Sequence, residues 1–133
     1  MNNCIFCKIV NKEIKSEIVY EDNSVVVFKD INPQAPIHLL FVPKKHIESI
    51  NEIDVVDKEV IGHIFVIAKE IAKRFNVNKD GYRIVVNTGK NAGQAVLHIH
   101  FHFLAGRVFS WPPGWEKVGH SLIGHSLRSR KGC

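Results

Sequence analysis

Three histidines, His98, His100 and His102, alternate with Ile99, Phe101 and Phe103. Neutral imidazole is a nucleophile, and its second ring nitrogen can be oriented by a carbonyl. A neighbouring protonated imidazole can hold a phosphate oxygen or protonate a leaving group. Together they suit attack on phosphorus. A lone histidine on an apolar strand is usually a satisfied core residue, but three on one face are hard to explain that way. Just upstream, Thr88-Gly89-Lys90-Asn91-Ala92-Gly93-Gln94 offers backbone amides and little bulk, as a bound phosphate requires. Alone, such a loop could be a plain connection. A second constellation is Cys4-Ile5-Phe6-Cys7. A C-x-x-C can be a zinc half-site, a redox pair or two buried thiols. No thioredoxin-like βαβ pattern surrounds it. Two histidines would complete a tetrahedral Cys₂His₂ site.

The elements that must position these groups follow from periodicity. Alternation through His98–Leu104 predicts a half-buried strand. Its imidazoles would fall in one row, roughly 7 Å apart. Leu97, Ile99, Phe101, Phe103 and Ala105 would form the buried back of that strand. Residues 4–10 predict a short helix with Ile5, Phe6, Ile9 and Val10 as its contacts. Residues 17–20 and 25–29 read as a hairpin around Glu21-Asp22-Asn23-Ser24. A third strand spans 38–42, closed by Pro43. The only long helix opens at Ile53-Asp54, with Asp54 or Asp57 as N-cap. Val60, Ile61, Ile64, Phe65, Ala68, Ile71, Ala72 and Phe75 form its apolar stripe. A fourth strand spans 82–87. This order predicts an α+β domain. Its antiparallel sheet carries the helix on one face, and the histidines stand on the other, open face. His38, His63, His120, His125 and Cys133 receive no role, and His63 is expected to be exposed or capping.

With 133 residues, 45% hydrophobic and 23% charged, the chain is expected to be one globular domain. Of the net charge of +5, residues 116–133 hold +3. The +2 left for the rest argues against a nucleic-acid partner. No apolar run approaches the roughly 20 residues of a membrane span, and residues 5–10 lack a signal-peptide pattern. A cytoplasmic location is expected. The Gly-His-Ser-Leu repeat within 115–133 reads as a flexible extension or an expression scar with no function, beyond a domain at 1–114.

His98-Ile99-His100-Phe101-His102-Phe103-Leu104 resembles the histidine-triad pattern, His-φ-His-φ-His-φ-φ. Further resemblance covers roughly residues 4–114. It runs through Ile5-Phe6-Cys7-Lys8-Ile9, the stretch Phe28 to Pro36, Pro43-Lys44-Lys45-His46-Ile47 and Gly93-Gln94. Trp111-Pro112-Pro113-Gly114 is similar to the close of the Hint branch, the histidine triad nucleotide-binding proteins. The resemblance implies a HIT-like fold of about five antiparallel strands, with two sheets joined across a homodimer. It implies hydrolysis of purine nucleoside phosphoramidates, with His100 as nucleophile, His102 holding a phosphate oxygen and His98 supporting the nucleophile. Asn87, Gly93 and Gln94 correspond to the phosphate loop. Phe6, Ile9, Phe28, Asp30 and Ile31 correspond to the base and ribose pocket, with Asp30 on the ribose hydroxyls. Without the resemblance, Asp30 would read as an ordinary turn residue. Trp111 would reach toward the partner's site across the dimer. The resemblance also supplies zinc ligands, Cys4, Cys7, His46 and His98, in a structural site expected to be closed to water.

The sequence departs from this pattern in two ways. Ala95 stands where Hint members commonly have a serine that assists at the scissile phosphate or leaving amine, and alanine cannot donate a hydrogen bond. The chain also runs on past Gly114, where many members end. Three alternatives stay open. One is a nucleotide-binding interaction module of low turnover. Another is a dinucleoside polyphosphate hydrolase of the wider HIT family. The last is a zinc hydrolase using all three histidines as ligands.

Overall fold

The hairpin that starts the sheet is organised by one carboxylate. In this computed structural model, which describes residues 3–114, β1 (Ile18–Glu21) and β2 (Val25–Lys29) meet at Asp22. Asp22 Oδ1 accepts from the backbone N–H groups of Ser24 and Val25, both at 2.9 Å. Its other oxygen accepts from the Tyr20 hydroxyl and from His63 Nε2, both at 2.7 Å. Burial works to raise its pKa, but these donors outweigh it and hold the carboxyl far below the usual range. His63 lies on α2 (Lys58–Arg74), so it ties the helix to the hairpin turn rather than standing free.

β3 (Ile37–Pro43), β4 (Tyr82–Val86) and β5 (Phe101–Ala105) complete a five-stranded antiparallel sheet in the order β1-β2-β3-β5-β4. The architecture is the α+β arrangement read from the sequence. On one face Val25, Val27, Leu39, Phe41, Phe101 and Phe103 pack against Ile64, Ile67, Ala68, Ile71 and Ala72 of α2. Those helix positions are spaced i, i+3, i+4, i+7, i+8, one stripe facing the core. Phe65, expected in that stripe, is 48% exposed, its ring T-shaped to that of Phe101 with centroids 5.7 Å apart. Ile67 takes the buried place instead. The helix also starts later than expected. Val55–Asp57 forms a 3₁₀ turn, and Asp57 accepts from the Asp54 N–H and from Lys45 Nζ.

The opposite face is not open throughout. Phe6 and Ile9 of α1 (Ile5–Val10) cover Val26, Phe28, Leu40 and Val42. The reason is legible in the strands: Val25-Val26-Val27-Phe28 and Leu39-Leu40-Phe41-Val42 are apolar at every position, so both faces need cover. Within α1, Cys7 is buried and Ile5 is 45% exposed, reversing the expectation for Ile5. β4 lies at the sheet edge, and Phe65 and Val66 of α2 are both about half exposed. No helix among the described residues is long and apolar enough to cross a membrane. The extension assigned to 115–133, with His120, His125 and Cys133, lies outside the described residues.

Candidate active site and metal centre

The histidine strand starts three residues later than the alternation predicts. β5 begins at Phe101, and His98, Ile99 and His100 lead into it. Pro43 has no N–H to extend the ladder, and its carbonyl oxygen accepts instead from His98 Nε2 at 2.8 Å. Ile99 N–H bonds to the Ile47 carbonyl at 2.7 Å, which brings His98 beside His46. The expected row of three therefore becomes a pair and one turned away. The His100 and His102 rings are 5.0 Å apart. Leu97, expected on the buried back, is 57% exposed.

Each ring has a partner that assigns its proton. His100 Nδ1 lies 2.8 Å from the His98 carbonyl oxygen, so it donates and leaves Nε2 as a bare lone pair. Phe6 meets the same ring edge to face at 5.0 Å, fixing its plane. Burial lowers the pKa of His100, while the His98 carbonyl and Asp30 act against that shift. A neutral imidazole with Nε2 free is the form that attacks an electrophile.

His98 donates from Nε2 to Pro43, so its lone pair is at Nδ1. That atom lies 3.4 Å from Cys4 Sγ, 3.5 Å from Cys7 Sγ and 3.1 Å from His46 Nδ1. Cys7 Sγ is 3.3 Å from His46 Nδ1, and all four ligand atoms lie within 4.8 Å of one another. Bonds of about 2.0–2.3 Å to nitrogen and sulfur give tetrahedral edges of roughly 3.3–3.8 Å; the three sulfur–nitrogen separations match, the nitrogen pair at 3.1 Å is slightly short, and the donor set suits zinc. Burial pushes the Cys7 thiol up to about 11, helped by Cys4; two thiolates here require a cation between them. Burial also pushes His98 down to about 4, keeping it in the neutral form a ligand needs. The cluster is not sealed, contrary to expectation: His46 is exposed and Cys4 is half-buried. The cysteine pair opens α1, which lies on the outside of the sheet, and that placement leaves one side toward solvent.

The remaining expected residues gather around these two centres unevenly. Phe6 and Phe28 are buried with rings 5.5 Å apart, and Ile9 is buried beside them. Asp30 holds an Asx turn through Asn32 N–H, and its second oxygen lies 3.3 Å from His38 Nε2. Ile31 is 97% exposed. Gln94 staples the Gly-rich loop, accepting from Gly89 N–H and donating to the carbonyls of Glu48 and Val96. Gly93 needs its positive φ of 83° to close that loop. Asn87 is half-buried at its start, and the neighbouring Thr88 hydroxyl is buried without a hydrogen-bond partner. Ala95 is exposed near Cys4 and His46. Trp111 is 70% exposed.

One residue was missed. His38, given no role, is buried, and its Nε2 lies 2.9 Å from His102 Nδ1. The only sequence signal is strand register. His38 pairs with Leu104, so it is the diagonal neighbour of His102 on the same face. Burial, with His100 and His38 nearby, pushes His102 down to about 4 against an opposing pull from Asp30. Burial lowers His38 as well. An unfolded histidine titrates near 6.5, so the unfolded chain binds these protons first. Stability is therefore expected to fall as pH drops from about 6.5 toward about 4. Asp22 acts only below that window. Denaturant unfolding at about pH 7.5 and about pH 5 checks this. Equal stability at both would contradict it.

Comparison with known proteins places this geometry. Residues 11–109 match the HIT domain. An uncharacterized HIT-like protein of Synechocystis sp. is 46% identical over 110 residues, covering 83% of this chain and 96% of its own. A HIT family hydrolase of Legionella pneumophila superposes with a TM-score of 0.83 at 47% identity, over 84% of this chain and all of the other. A histidine triad nucleotide-binding protein of Candida albicans does so with a TM-score of 0.71 at 28% identity, over 96% and 99% of the two chains.

Proposed function

The chain belongs to the HIT domain family, and from that premise we propose that it hydrolyses purine nucleoside phosphoramidates, as a member of the Hint branch. The observation that carries the reading is the tautomer of His100. Its Nδ1–H is engaged by the His98 carbonyl, so Nε2 offers a lone pair from a rigid, buried ring. His100 attacks the α-phosphorus, the P–N bond breaks, and the amine leaves with a proton. That proton comes from solvent water on the leaving-group side, because the one N–H of the imidazolium formed by attack stays on the His98 carbonyl. Water then attacks the nucleotidyl-histidine, and the nucleoside 5′-monophosphate is released.

His102 holds a non-bridging oxygen, and the loop at 88–94 adds backbone amides and the Thr88 hydroxyl. Phe6, Ile9, Phe28, Asp30 and Ile31 form the base and ribose side. The names of the Legionella and Candida proteins, a hydrolase and a nucleotide-binding protein, support a hydrolase that acts on a nucleotide. Ala95 supplies no hydroxyl to the leaving amine, so water takes that role. Turnover of an adenosine phosphoramidate, set against AMP binding alone, tests the proposal. Steady release of AMP is expected. Tight AMP binding with no release would favour the interaction module instead.

Zinc held by Cys4, Cys7, His46 and His98 would act structurally, clamping α1 to the end of β3. The domain at 1–114 is proposed to work as a two-fold homodimer through the open edge of β4 and the half-exposed Phe65 and Val66. Trp111 would reach the partner's site from there. Light scattering at micromolar concentration should give about twice 15.1 kDa. A monomer there would refute this assembly.

A further inference from the structure

We propose that Cys4 and Cys7 are a reversible oxidation site, where a peroxide joins the two sulfurs in a disulfide and so empties the metal centre they share with His46 and His98. The site is the one proposed above for zinc, and no part of it depends on the substrate. Access to its sulfurs is unequal. A cleft of about 470 Å³ has Cys4, His46, Glu48 and Ala95 in its wall, while Cys7 and His98 lie behind it, both buried. Hydrogen peroxide arriving from solvent therefore meets Cys4 first.

The second sulfur is within reach. Lys8 N–H bonds to the Cys4 carbonyl at 3.1 Å, so the chain already turns helically at Cys4. Cα atoms three residues apart on such a turn are about 5 Å apart, inside the roughly 4.4–6.8 Å that a disulfide spans. Cys7 N–H also donates to Cys4 Sγ at 3.4 Å, which holds the first sulfur over the turn that carries the second. The two sulfurs lie within 4.8 Å of each other, a gap that side-chain rotation closes.

The Cys4 thiolate attacks one peroxide oxygen, the O–O bond breaks, and the departing hydroxide takes a proton to leave as water. Cys4 becomes a sulfenic acid. The Cys7 thiolate then attacks that sulfur, the S–O bond breaks, and a second water leaves as the disulfide forms. The sulfurs give up two electrons and the peroxide takes them; a dithiol returns them. A disulfide offers no thiolate, so only His46 and His98 remain of the four ligands. What is untied is α1, whose Phe6 ring stands 5.0 Å from His100 and 5.5 Å from Phe28. Oxidation thereby frees the element that walls the His100 ring.

The test uses the full chain with Cys133→Ser, which leaves two cysteines. Treated with hydrogen peroxide, it should lose the mass of two hydrogens and both titratable thiols, and dithiothreitol should restore them. Zinc loaded beforehand should be released at one ion per disulfide, read with a chromogenic chelator. The metal-stripped chain should form the same disulfide, so the thiol result stands apart from the zinc reading. In Cys7→Ser, the sulfenic acid on Cys4 has no partner and should be captured by dimedone; in Cys4→Ser, Cys7 should stay unlabelled. Oxygen added to either sulfur without loss of two hydrogens, disulfide-linked dimers, or a disulfide that forms while the ion is retained would each overturn the proposal. None of these readouts uses turnover, so the phosphoramidate reading can fail separately.

Discussion

His100→Ala is expected to lower phosphoramidate turnover by about 10⁴-fold or more, the scale seen when a nucleophile is removed from a catalytic unit. AMP binding should stay within about threefold of the parent chain, since a 1.4 kcal/mol loss already means tenfold. The two outcomes separate because the proposed base and ribose groups come from α1 and from residues 28–31. His100 contributes mainly to the reacting phosphorus. Its removal opens a small space under Phe6, which touches the ring at 5.0 Å. The fold should absorb that change, because His100 precedes β5 and makes no rung of its ladder. Substantial residual activity would mean that water, activated by another group or by a metal, attacks directly.

Losing the metal should be the next largest effect, and it should appear in stability rather than chemistry. Purified without chelator, the chain should carry about one zinc ion, and stripping it should cost about 3 kcal/mol or more, as for a ligand present at 100-fold or more above its Kd. For a domain of this size that is roughly 10 °C in melting temperature. Cys7→Ser should reproduce the loss, because buried Cys7 lies within 3.5 Å of both histidine ligands. Residues far from α1 and the end of β3 should feel it least. If chelation leaves the melting temperature unchanged, the four residues do not form a metal site. If it abolishes all activity while the fold stays intact, the ion belongs to the chemistry.

The frame of the fold was open to reading because its signals are local. The hairpin turn at Asp22, the Pro43 stop and the helical stripe each depend on neighbours within a few residues, and the first four strands lie within one residue of their expected bounds. What escaped depends on contacts across the chain. The covering of the second face by α1 follows from β2 and β3 being apolar throughout, yet the sequence does not say which segment covers them. His98 leaves the expected row because of bonds to Pro43 and Ile47, about fifty residues away. His38 is invisible until β3 and β5 are in register, since one residue of slip would turn it to the other face.

Site residues divide in the same way. The alternation of His98, His100 and His102 and the Cys4–Cys7 spacing announce two kinds of chemistry. Which histidine serves which centre is decided by single carbonyl or amide partners. Pro43 directs His98 to the cysteines, and His98 in turn orients His100 through its own carbonyl. The proposed metal centre and the proposed nucleophile would therefore share one residue. His98→Ala should damage both, while Cys7→Ser should affect the metal first.

The covalent step is the centre of the account, and trapping it is the most direct measurement. The chain would be mixed with a radiolabelled adenosine phosphoramidate, quenched during turnover and digested. The label should reside on a single peptide, on His100, released by acid and stable to base as a phosphorus–imidazole bond requires. The same experiment with His100→Ala should leave the protein unlabelled. Label on another residue, or full turnover with no label at any quench time, would contradict nucleophilic attack by His100.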